Sequence, residues 1–225
     1  MWIAETFQSI QGEGRFVGVP SLFIRTSGCN LRCWFCDTPY TSWEPEGEHR
    51  SLRGLVDEVR NADCEHVVIT GGEPMLVPEL VPLTQQIAEL GRVITIETAG
   101  TVDLPVTAHL MSISPKRANS TPDDPVWRDR HNERRHQPAV IRRLTSDYDY
   151  QLKFVIDSPA DVEDVEVYLA EFPHISADRV YLMPQARELD ELRTKSEWLV
   201  PLARQRGWQV SPRRHIELFG NTRGT

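Results

Sequence analysis

Apolar runs typical of buried strands recur along the chain, and segments with helical periodicity separate most of them. The predicted strands are 21–26, 66–70, 92–98, 110–114, 150–156 and 179–183. The predicted helices are 52–62, 78–90, 159–172 and 188–206. This alternation favours parallel pairing through right-handed crossovers. The predicted fold class is α/β, an incomplete TIM-like barrel of about six parallel strands, since only three or four clear helices fit where a full barrel has eight.

Two regions lack this pattern. Residues 1–14 begin with a short apolar opening and end in alternating polar residues and glycines. The stretch 117–149 is polar and has no clean period, and its steps at 123–125 and 137–138, each ending in proline, predict turns. A stretch of this length is either a functional lid or an ordered excursion. We therefore expect residues 1–225 to form a single domain with an excursion at about 117–149.

Composition excludes several classes of partner. The chain has 33 acidic against 25 basic residues and a formal net charge of −8, which argues against direct nucleic-acid binding through phosphates. It has no apolar run near the roughly 18 residues that a membrane span needs. Its first residues lack the basic and apolar regions of a secretory signal. We expect a cytoplasmic protein without a membrane partner.

Three of the four cysteines are crowded into a C-x3-C-x2-C loop formed by Cys29, Cys33 and Cys36. This spacing is typical of metal ligands in a reducing compartment, whereas the distant Cys64 is interpreted as a free thiol. Three thiolates can hold a [4Fe–4S] cluster with one iron position open. The alternative is a structural zinc site completed by a histidine such as His49, in a non-enzymatic zinc-binding interaction module.

Polar and glycine motifs follow five of the predicted strands. They are the cysteine loop, Gly-Gly-Glu-Pro at 71–74, Glu-Thr-Ala-Gly at 97–100, Ser-Pro-Lys at 114–116 and Met-Pro-Gln at 183–185. In α/β barrels and open α/β sheets, ligands bind at the carboxyl ends of the strands, where adjacent loops converge. The sequence therefore predicts one binding site at that edge of the sheet.

The cysteine spacing, with the aromatic Phe35 before the third cysteine, resembles the cluster loop of the radical S-adenosylmethionine (SAM) enzymes. The resemblance implies a radical SAM core in which the three cysteines hold a [4Fe–4S] cluster and SAM occupies the open iron. The radical then comes from the cofactor, and no side chain is expected to be catalytic. The residues implied to bind SAM are Phe35, Gly71, Gly72, Glu73, Ser114, Lys116 and Gln185.

Further motifs narrow the resemblance. Gln-Gly-Glu-Gly at 11–14, Arg25 before Ser-Gly-Cys-Asn-Leu, Cys-Asp-Thr at 36–38, Thr-Gly-Gly-Glu-Pro at 70–74 and the late Arg-His pair are together similar to the 7-carboxy-7-deazaguanine synthase family. The resemblance implies a lyase that converts 6-carboxy-5,6,7,8-tetrahydropterin to 7-carboxy-7-deazaguanine with loss of ammonia, in queuosine biosynthesis. It implies Thr38 as a ligand of Mg²⁺. The implied substrate-binding residues are Gln11, Gly12, Glu13, Arg25, Thr70, Glu97 and His215.

The resemblance also implies partners that no residue pattern identifies. These are a second copy of the chain in a homodimer and an electron donor such as flavodoxin. A radical SAM activase for a glycyl radical enzyme is the nearest alternative, because it would share the cluster loop and the Gly-Gly-Glu-Pro motif. Such an activase needs none of the residues that suit the edge of a pterin.

Overall fold

The computed structural model describes residues 1–225, which fold around one nine-stranded sheet. The strands are β1 (Trp2–Ile10), β2 (Pro20–Thr26), β3 (Glu48–His49), β4 (His66–Gly71), β5 (Val93–Thr98), β6 (Leu110–Ile113), β7 (Tyr150–Ile156), β8 (Val180–Pro184) and β9 (Gln209–Val210). The helices are α1 (Pro39–Ser42), α2 (Leu52–Asn61), α3 (Leu80–Glu89), α4 (Pro125–Arg134), α5 (Pro138–Asp147), α6 (Pro159–Ala170), α7 (Leu189–Gln205) and α8 (Arg214–Phe219).

The strand order across the sheet is β3-β1-β2-β4-β5-β6-β7-β8-β9. Strands β2 and β4 to β9 run parallel to one another, whereas β1 runs antiparallel to both β2 and β3. The six predicted strands are β2 and β4 to β8. Because β3 and β9 lie at opposite edges and do not pair, the sheet does not close, and the predicted incomplete α/β barrel is confirmed.

The two faces of the parallel strands differ in chemistry. Side chains such as Ile69 and Phe154 belong to the apolar core. Their neighbours Thr70 and Lys153 point to the opposite face and line a cavity. This follows from the two-residue period of a strand, which sends successive side chains to opposite faces. One face therefore holds the fold together, and the other is available for binding.

The opening residues form a long strand that the sequence pattern did not predict. Strand β1 pairs with β2 over most of its length, from Ile3 opposite Thr26 to Ile10 opposite Pro20. Most of its residues are only partly buried, so no continuous apolar run marks it. The loop that follows β1 carries the Gln-Gly-Glu-Gly motif into the cavity.

The polar stretch 117–149 contains α4 and α5 between β6 and β7. The two predicted turns are wrong, since they are helix starts with Pro125 and Pro138 in the first turn. The Asp124 carboxylate accepts hydrogen bonds from two backbone N–H groups of α4, at 2.9 and 2.8 Å. The expectation of three or four helices was therefore too low, because the chain forms eight α-helices.

No helix of the chain combines the length and apolar character that crossing a membrane requires.

Candidate functional site

A cavity of about 330 Å³ lies on the polar face of the sheet. Its walls come from the loops after β1 and β2, from residues in or after each of the strands β4 to β8, and from the residues around and beyond α8. The predicted site residues that line it together are Gln11, Gly12, Glu13, Arg25, Cys29, Cys33, Phe35, Cys36, Thr38, Thr70, Gly71, Gly72, Glu97, Ser114, Lys116, Gln185 and His215. Glu73 is the one predicted site residue that does not line it.

The cysteine loop supplies a donor set that fits an iron–sulfur cluster. Burial raises the pKa of both Cys29 and Cys33 to about 12. A bound cationic metal centre would favour their thiolate forms. No group of three or more His, Cys, Asp or Glu side chains converges on a single-ion site, as tetrahedral zinc would require. Three cysteines without a fourth protein ligand suit a cluster with an open iron.

The two candidate fourth ligands lie elsewhere. His49 belongs to β3, where its Nε2 is 3.3 Å from the amino group of Met1. Cys64 is buried in the apolar core, with its Sγ 3.7 Å from Oε1 of Gln8. The zinc alternative therefore has no support from either residue.

The polar stretch after β6 supports the back of the cysteine loop. His131 is completely buried, and its Nδ1 accepts a hydrogen bond from the backbone N–H of Arg32 at 3.2 Å. Its Nε2 is 2.8 Å from Oγ of Ser120, whose carbonyl accepts a hydrogen bond from the N–H of Trp34 at 3.3 Å. Burial, aided by Arg135 and Lys116, lowers the pKa of His131 to about 4, so the ring is neutral at pH 7. No periodic signal in the sequence marked this support.

The glycines of the Gly-Gly-Glu-Pro motif allow two loops to pack together. A Cβ added at Gly72 would lie 2.1 Å from the carbonyl oxygen of Gly28 and 2.8 Å from the Cβ of Cys29. Gly71 has a φ of 145°, which residues with a side chain rarely adopt, and it packs against the end of β2. The cysteine loop can therefore approach β4 only because both residues lack a side chain.

Glu73 ties this motif to the loop after β5. Its buried carboxylate accepts hydrogen bonds from Oγ1 of Thr98 (2.8 Å) and from the backbone N–H groups of Ala99 (2.8 Å) and Met75 (3.1 Å). Burial raises the pKa of Glu73, and these three hydrogen bonds oppose the shift without cancelling it. The structure thus places this side chain between two loops and away from the cavity surface.

The remaining predicted cofactor residues come from the cysteine loop and from the loops after β6 and β8. Lys116 donates from Nζ to the carbonyl and the hydroxyl oxygen of Ser114, at 2.9 and 2.6 Å. Oε1 of Gln185 accepts a hydrogen bond from Nζ of Lys195 at 2.9 Å. Phe35 is buried, with its ring edge-to-face on Trp34. Lys116 and Ser114 form a polar pair, and the Gln185 amide nitrogen makes no hydrogen bond within the protein.

Thr38 lies beside the third cysteine at the start of α1. Its Oγ1 is 3.1 Å from Oγ1 of Thr41 and 3.9 Å from Sγ of Cys36. The neighbouring Asp37 carboxylate accepts a hydrogen bond from Arg213 at 2.5 Å. The side chain of Thr38 can offer an ion one oxygen atom, that of its hydroxyl group.

Four predicted substrate residues form one hydrogen-bonded network. Oε1 of Glu97 accepts from Nε2 of Gln11 at 3.2 Å, and Oε2 accepts from Oγ1 of Thr70 at 2.9 Å. Oε1 of Gln11 accepts from the backbone N–H of Glu13 at 3.0 Å. The carboxylates of Glu13 and Glu97 both line the cavity, so two acceptors face the same space.

Arg25 enters the cavity with its orientation fixed from behind. Its Nε donates to Oε1 of Glu5 at 2.7 Å, and the same oxygen accepts from the hydroxyl of Tyr40 at 2.7 Å. The two terminal nitrogens of Arg25 make no hydrogen bond within the protein. They can therefore receive a carboxylate in the two-point geometry that arginine favours.

Two buried cations that the sequence patterns did not reveal surround Glu13. Lys153 forms an ion pair with Oε2, and Nε of Arg213 lies 3.3 Å from Oε1. Burial opposes ionisation of Glu13, but Lys153, Arg213 and His215 outweigh it and hold its pKa below the ordinary value. The signal for Lys153 was its place in β7, where it interrupts an otherwise apolar run between Leu152 and Phe154.

His215 packs directly on the loop after β1. A Cβ added at Gly12 would lie 2.1 Å from Nδ1 of His215, so glycine is required at this contact. Burial lowers the pKa of His215, although Glu13 opposes the shift. Residues 221–225 also line the cavity, and the guanidinium of Arg223 lies 4.0 Å from the ring centre of Tyr40. No motif or apolar period indicated a role for this late segment.

Comparison with known proteins found related sequences and structures. A family model described as the radical SAM superfamily matches residues 23–125. A 7-carboxy-7-deazaguanine synthase from Rhodopirellula baltica is 45% identical over 99% of this chain and 88% of its own length. One from Halobacterium salinarum is 42% identical over 97% of this chain and 90% of its own.

Solved structures show the same architecture. The crystal structure of QueE from Escherichia coli has a TM-score of 0.69 and 27% identity, and covers 93% of this chain and 92% of its own. SuiB from Streptococcus suis bound to S-adenosylmethionine has a TM-score of 0.54 and 16% identity, over 81% of this chain and 47% of its own. At that identity SuiB supports the fold alone.

Proposed function

Because the chain belongs to the 7-carboxy-7-deazaguanine synthase family of the radical SAM superfamily, we propose that it converts 6-carboxy-5,6,7,8-tetrahydropterin to 7-carboxy-7-deazaguanine with loss of ammonia. The observation that carries the proposal is the shared cavity. Three cysteines without a fourth protein ligand line the same space as an arginine with free terminal nitrogens and two acidic side chains.

The cofactors account for the radical, and the chain holds them in place. Cys29, Cys33 and Cys36 would hold a [4Fe–4S] cluster, and SAM would bind beside Gly71, Gly72, Ser114, Lys116 and Gln185, which line the same cavity. When bound, the cluster and SAM together would supply a radical capable of removing hydrogen from C6 of the pterin. The protein's contribution is to bind both molecules in one orientation and to keep competing reactants away.

Different residues would recognise the two ends of the substrate. The terminal nitrogens of Arg25 match the carboxylate in charge and geometry. The amino-pyrimidinone edge carries N–H donors, which the carboxylates of Glu13 and Glu97 can accept. Since these residues come from different loops and strands around one cavity, a molecule that satisfies them all is held in a single orientation.

Thr38 is the proposed protein ligand of Mg²⁺. Magnesium keeps an oxygen-rich octahedral shell and commonly has few protein ligands. The Thr38 hydroxyl lines the cavity, as does the neighbouring Asp37, whose carboxylate is already paired with Arg213. Substrate oxygens and water would therefore complete the shell.

Partners and compartment are also proposals. An electron donor such as flavodoxin is required because the cluster must be reduced before each cleavage of SAM, and family resemblance supports a homodimer. The four free cysteines and an oxygen-sensitive cluster suit action in the reducing cytoplasm. Light scattering of the reconstituted protein tests the dimer, and a monomer at micromolar concentration would exclude it.

The test of the proposed function is an anaerobic assay with the reconstituted protein, SAM, a reductant and carboxytetrahydropterin. We expect 7-carboxy-7-deazaguanine, identified by mass, together with released ammonia. Iron and sulfide should accompany the protein, whereas one zinc and no iron would support the interaction module. Hydrogen removal from a partner protein's glycine, with no deazapurine formed, would support the activase.

A further inference from the structure

Lys153 is the most deeply buried charge on the cavity face of the parallel strands. Its side chain is 6% exposed, in the middle of β7. Its neighbours on that face, Gln151 and Val155, are uncharged. The residues before and after it in the sequence, Leu152 and Phe154, belong to the apolar core. A buried ammonium group is costly unless it is paired. The position of Lys153 therefore depends on its partners.

Those partners are the two carboxylates that face the proposed pterin edge. Nζ of Lys153 pairs with Oε2 of Glu13 and lies 3.8 Å from Oε1 of Glu97. Glu13 comes from the loop after β1, and Glu97 lies near the end of β5. One ammonium group thus links two carboxylates from separate elements and fixes their separation.

The surroundings of the two carboxylates differ. Glu97 also accepts hydrogen bonds from Gln11 and Thr70. Glu13 is faced by Lys153, Arg213 and His215. Of these, Arg213 also binds Asp37, whereas Lys153 has no partner other than the two glutamates. Lys153 is therefore the cation dedicated to this pair.

We propose that Lys153 is a specificity-determining positioning residue, which holds Glu13 and Glu97 as a pair of hydrogen-bond acceptors that admit a 2-amino-4-oxopyrimidine edge and reject a 2-oxo edge. An ionised carboxylate can only accept hydrogen bonds, so an oxygen in place of the 2-amino group would meet it acceptor to acceptor. Sites built to bind an N–H group discriminate strongly because the mismatch leaves buried polar groups unpaired. The assignment of the edge rests on the proposed function.

The charge of Lys153 is what maintains this selectivity. Burial opposes ionisation of Glu13, and the ammonium group of Lys153 is the first of the neighbours that lower its pKa. Glu13 and Glu97 in turn raise the pKa of Lys153 against the effect of burial. Without the ammonium group, the pKa of Glu13 rises and its carboxylate loses the contact that holds it beside Glu97.

The test is equilibrium binding, which requires no turnover. The affinities of the cluster-loaded, SAM-bound protein for carboxytetrahydropterin and for its 2-oxo analogue are compared by calorimetry. We expect the original protein to prefer the pterin by at least ~10-fold. In Lys153→Met this preference should fall to about twofold or less, whereas Lys153→Arg should retain it. Arg206→Met, which removes an ion pair with Glu166 on the protein surface, is the matched control.

Two further readouts separate selectivity from folding. SAM affinity and cluster absorbance should be unchanged in Lys153→Met, and the acid limb of the pH profile for pterin binding should move to higher pH. If that variant does not fold, Glu13→Gln tests the same idea, because its amide can donate to the 2-oxo group and should also lower the preference.

Three results would overturn the proposal. They are equal affinity of the original protein for both ligands, an unchanged preference in a folded Lys153→Met whether or not both affinities fall, and, where that variant does not fold, an unchanged preference in Glu13→Gln. Failure of the proposed function is a different outcome, since it is the absence of 7-carboxy-7-deazaguanine from the turnover assay.

Discussion

At Glu73 the carboxylate turns into the protein and accepts hydrogen bonds from Met75, Thr98 and Ala99. Family resemblance implied that this residue binds SAM. Its complete burial supports a role in joining the Gly-Gly-Glu-Pro loop to the loop after β5, and its contact with SAM stays a prediction. The glycines of the same motif likewise serve the packing of the cysteine loop.

The corresponding prediction concerns stability. Glu73→Ala leaves three buried donors without an acceptor, so we expect the free energy of unfolding to fall by about 3 kcal/mol or more. Denaturant unfolding of the metal-free protein measures this loss, and SAM affinity of the folded fraction should be retained. A variant of normal stability with weakened SAM binding would show that the carboxylate acts on the cofactor.

Thr38 provides a second test at the residue scale. Its hydroxyl lines the cavity next to Cys36 and is the proposed protein ligand of magnesium. We expect Thr38→Ala to weaken the dependence of turnover on Mg²⁺ and to leave the cluster absorbance intact, while Thr38→Ser keeps both. An unchanged magnesium response in Thr38→Ala would remove this residue from the ligand set.

At the scale of elements, α4 acts as the support of the cysteine loop. Its only buried residue is His131, which binds the backbone of Arg32 between two of the cysteines. The guanidinium of Arg32 in turn lies 4.0 Å from the ring centre of Trp127 on the same helix. Helix α4 therefore holds the loop through a hydrogen bond and a cation–π contact.

This arrangement predicts the effect of His131→Ala. The variant leaves the N–H of Arg32 and the hydroxyl of Ser120 without their buried partner, so the loop should lose its fixed shape. We expect less iron bound after reconstitution and faster bleaching of the cluster in air. His136→Ala is the matched control, because that ring contacts Glu171 at the surface. Equal iron content in the two variants would contradict the role of α4.

The same elements show which parts of the fold the sequence could reveal. The parallel strands were predictable because their apolar runs are continuous, and helix α2 because its buried residues Leu55, Val56 and Val59 recur with helical spacing. Helix α4 was not predictable from the sequence, because a helix that buries a single histidine has no apolar period. Its start was still encoded in Asp124 and Pro125, which resemble a turn in isolation.

The residues of the candidate site also differ in how far the sequence alone reveals them. Motifs after strands were recognisable as short polar sequences, and the cavity brings nearly all of them together. Lys153 lies within a strand and Arg213 in a polar tail, so neither belongs to such a motif. Their roles depend on which distant carboxylate they reach, and one sequence does not contain that information.

At the scale of the whole molecule, buried charges connect parts of the chain that are far apart in sequence. Glu13 near the start pairs with Lys153 in β7 and with Arg213 near the end. Arg213 continues the connection to Asp37 in the cysteine loop. Together with the continuous sheet, these pairs support a single domain, which we expect to unfold in one cooperative transition by calorimetry. Two resolved transitions would contradict it.

The charge network also predicts how stability depends on pH. The pKa of Glu13 is lowered in the folded protein from an ordinary value of 4.5. Its ionised form therefore stabilises the fold above pH 4.5, and this contribution is lost as the pH falls towards the folded-state pKa. The stability difference between the metal-free original protein and its Glu13→Gln variant should shrink between pH 6 and pH 3 in denaturant unfolding. A difference that stays constant or grows over this range would exclude the ion pair as its source.

The central claim is that one cavity places C6 of a carboxylated pterin against the radical carbon derived from SAM. Its most direct test is anaerobic turnover of carboxytetrahydropterin carrying deuterium at C6, with mass analysis of product and cofactor. We expect 7-carboxy-7-deazaguanine to form and deuterium from C6 to appear at the 5′ position of SAM or of 5′-deoxyadenosine. Absence of the product, or product without deuterium in either SAM or 5′-deoxyadenosine, would contradict the account.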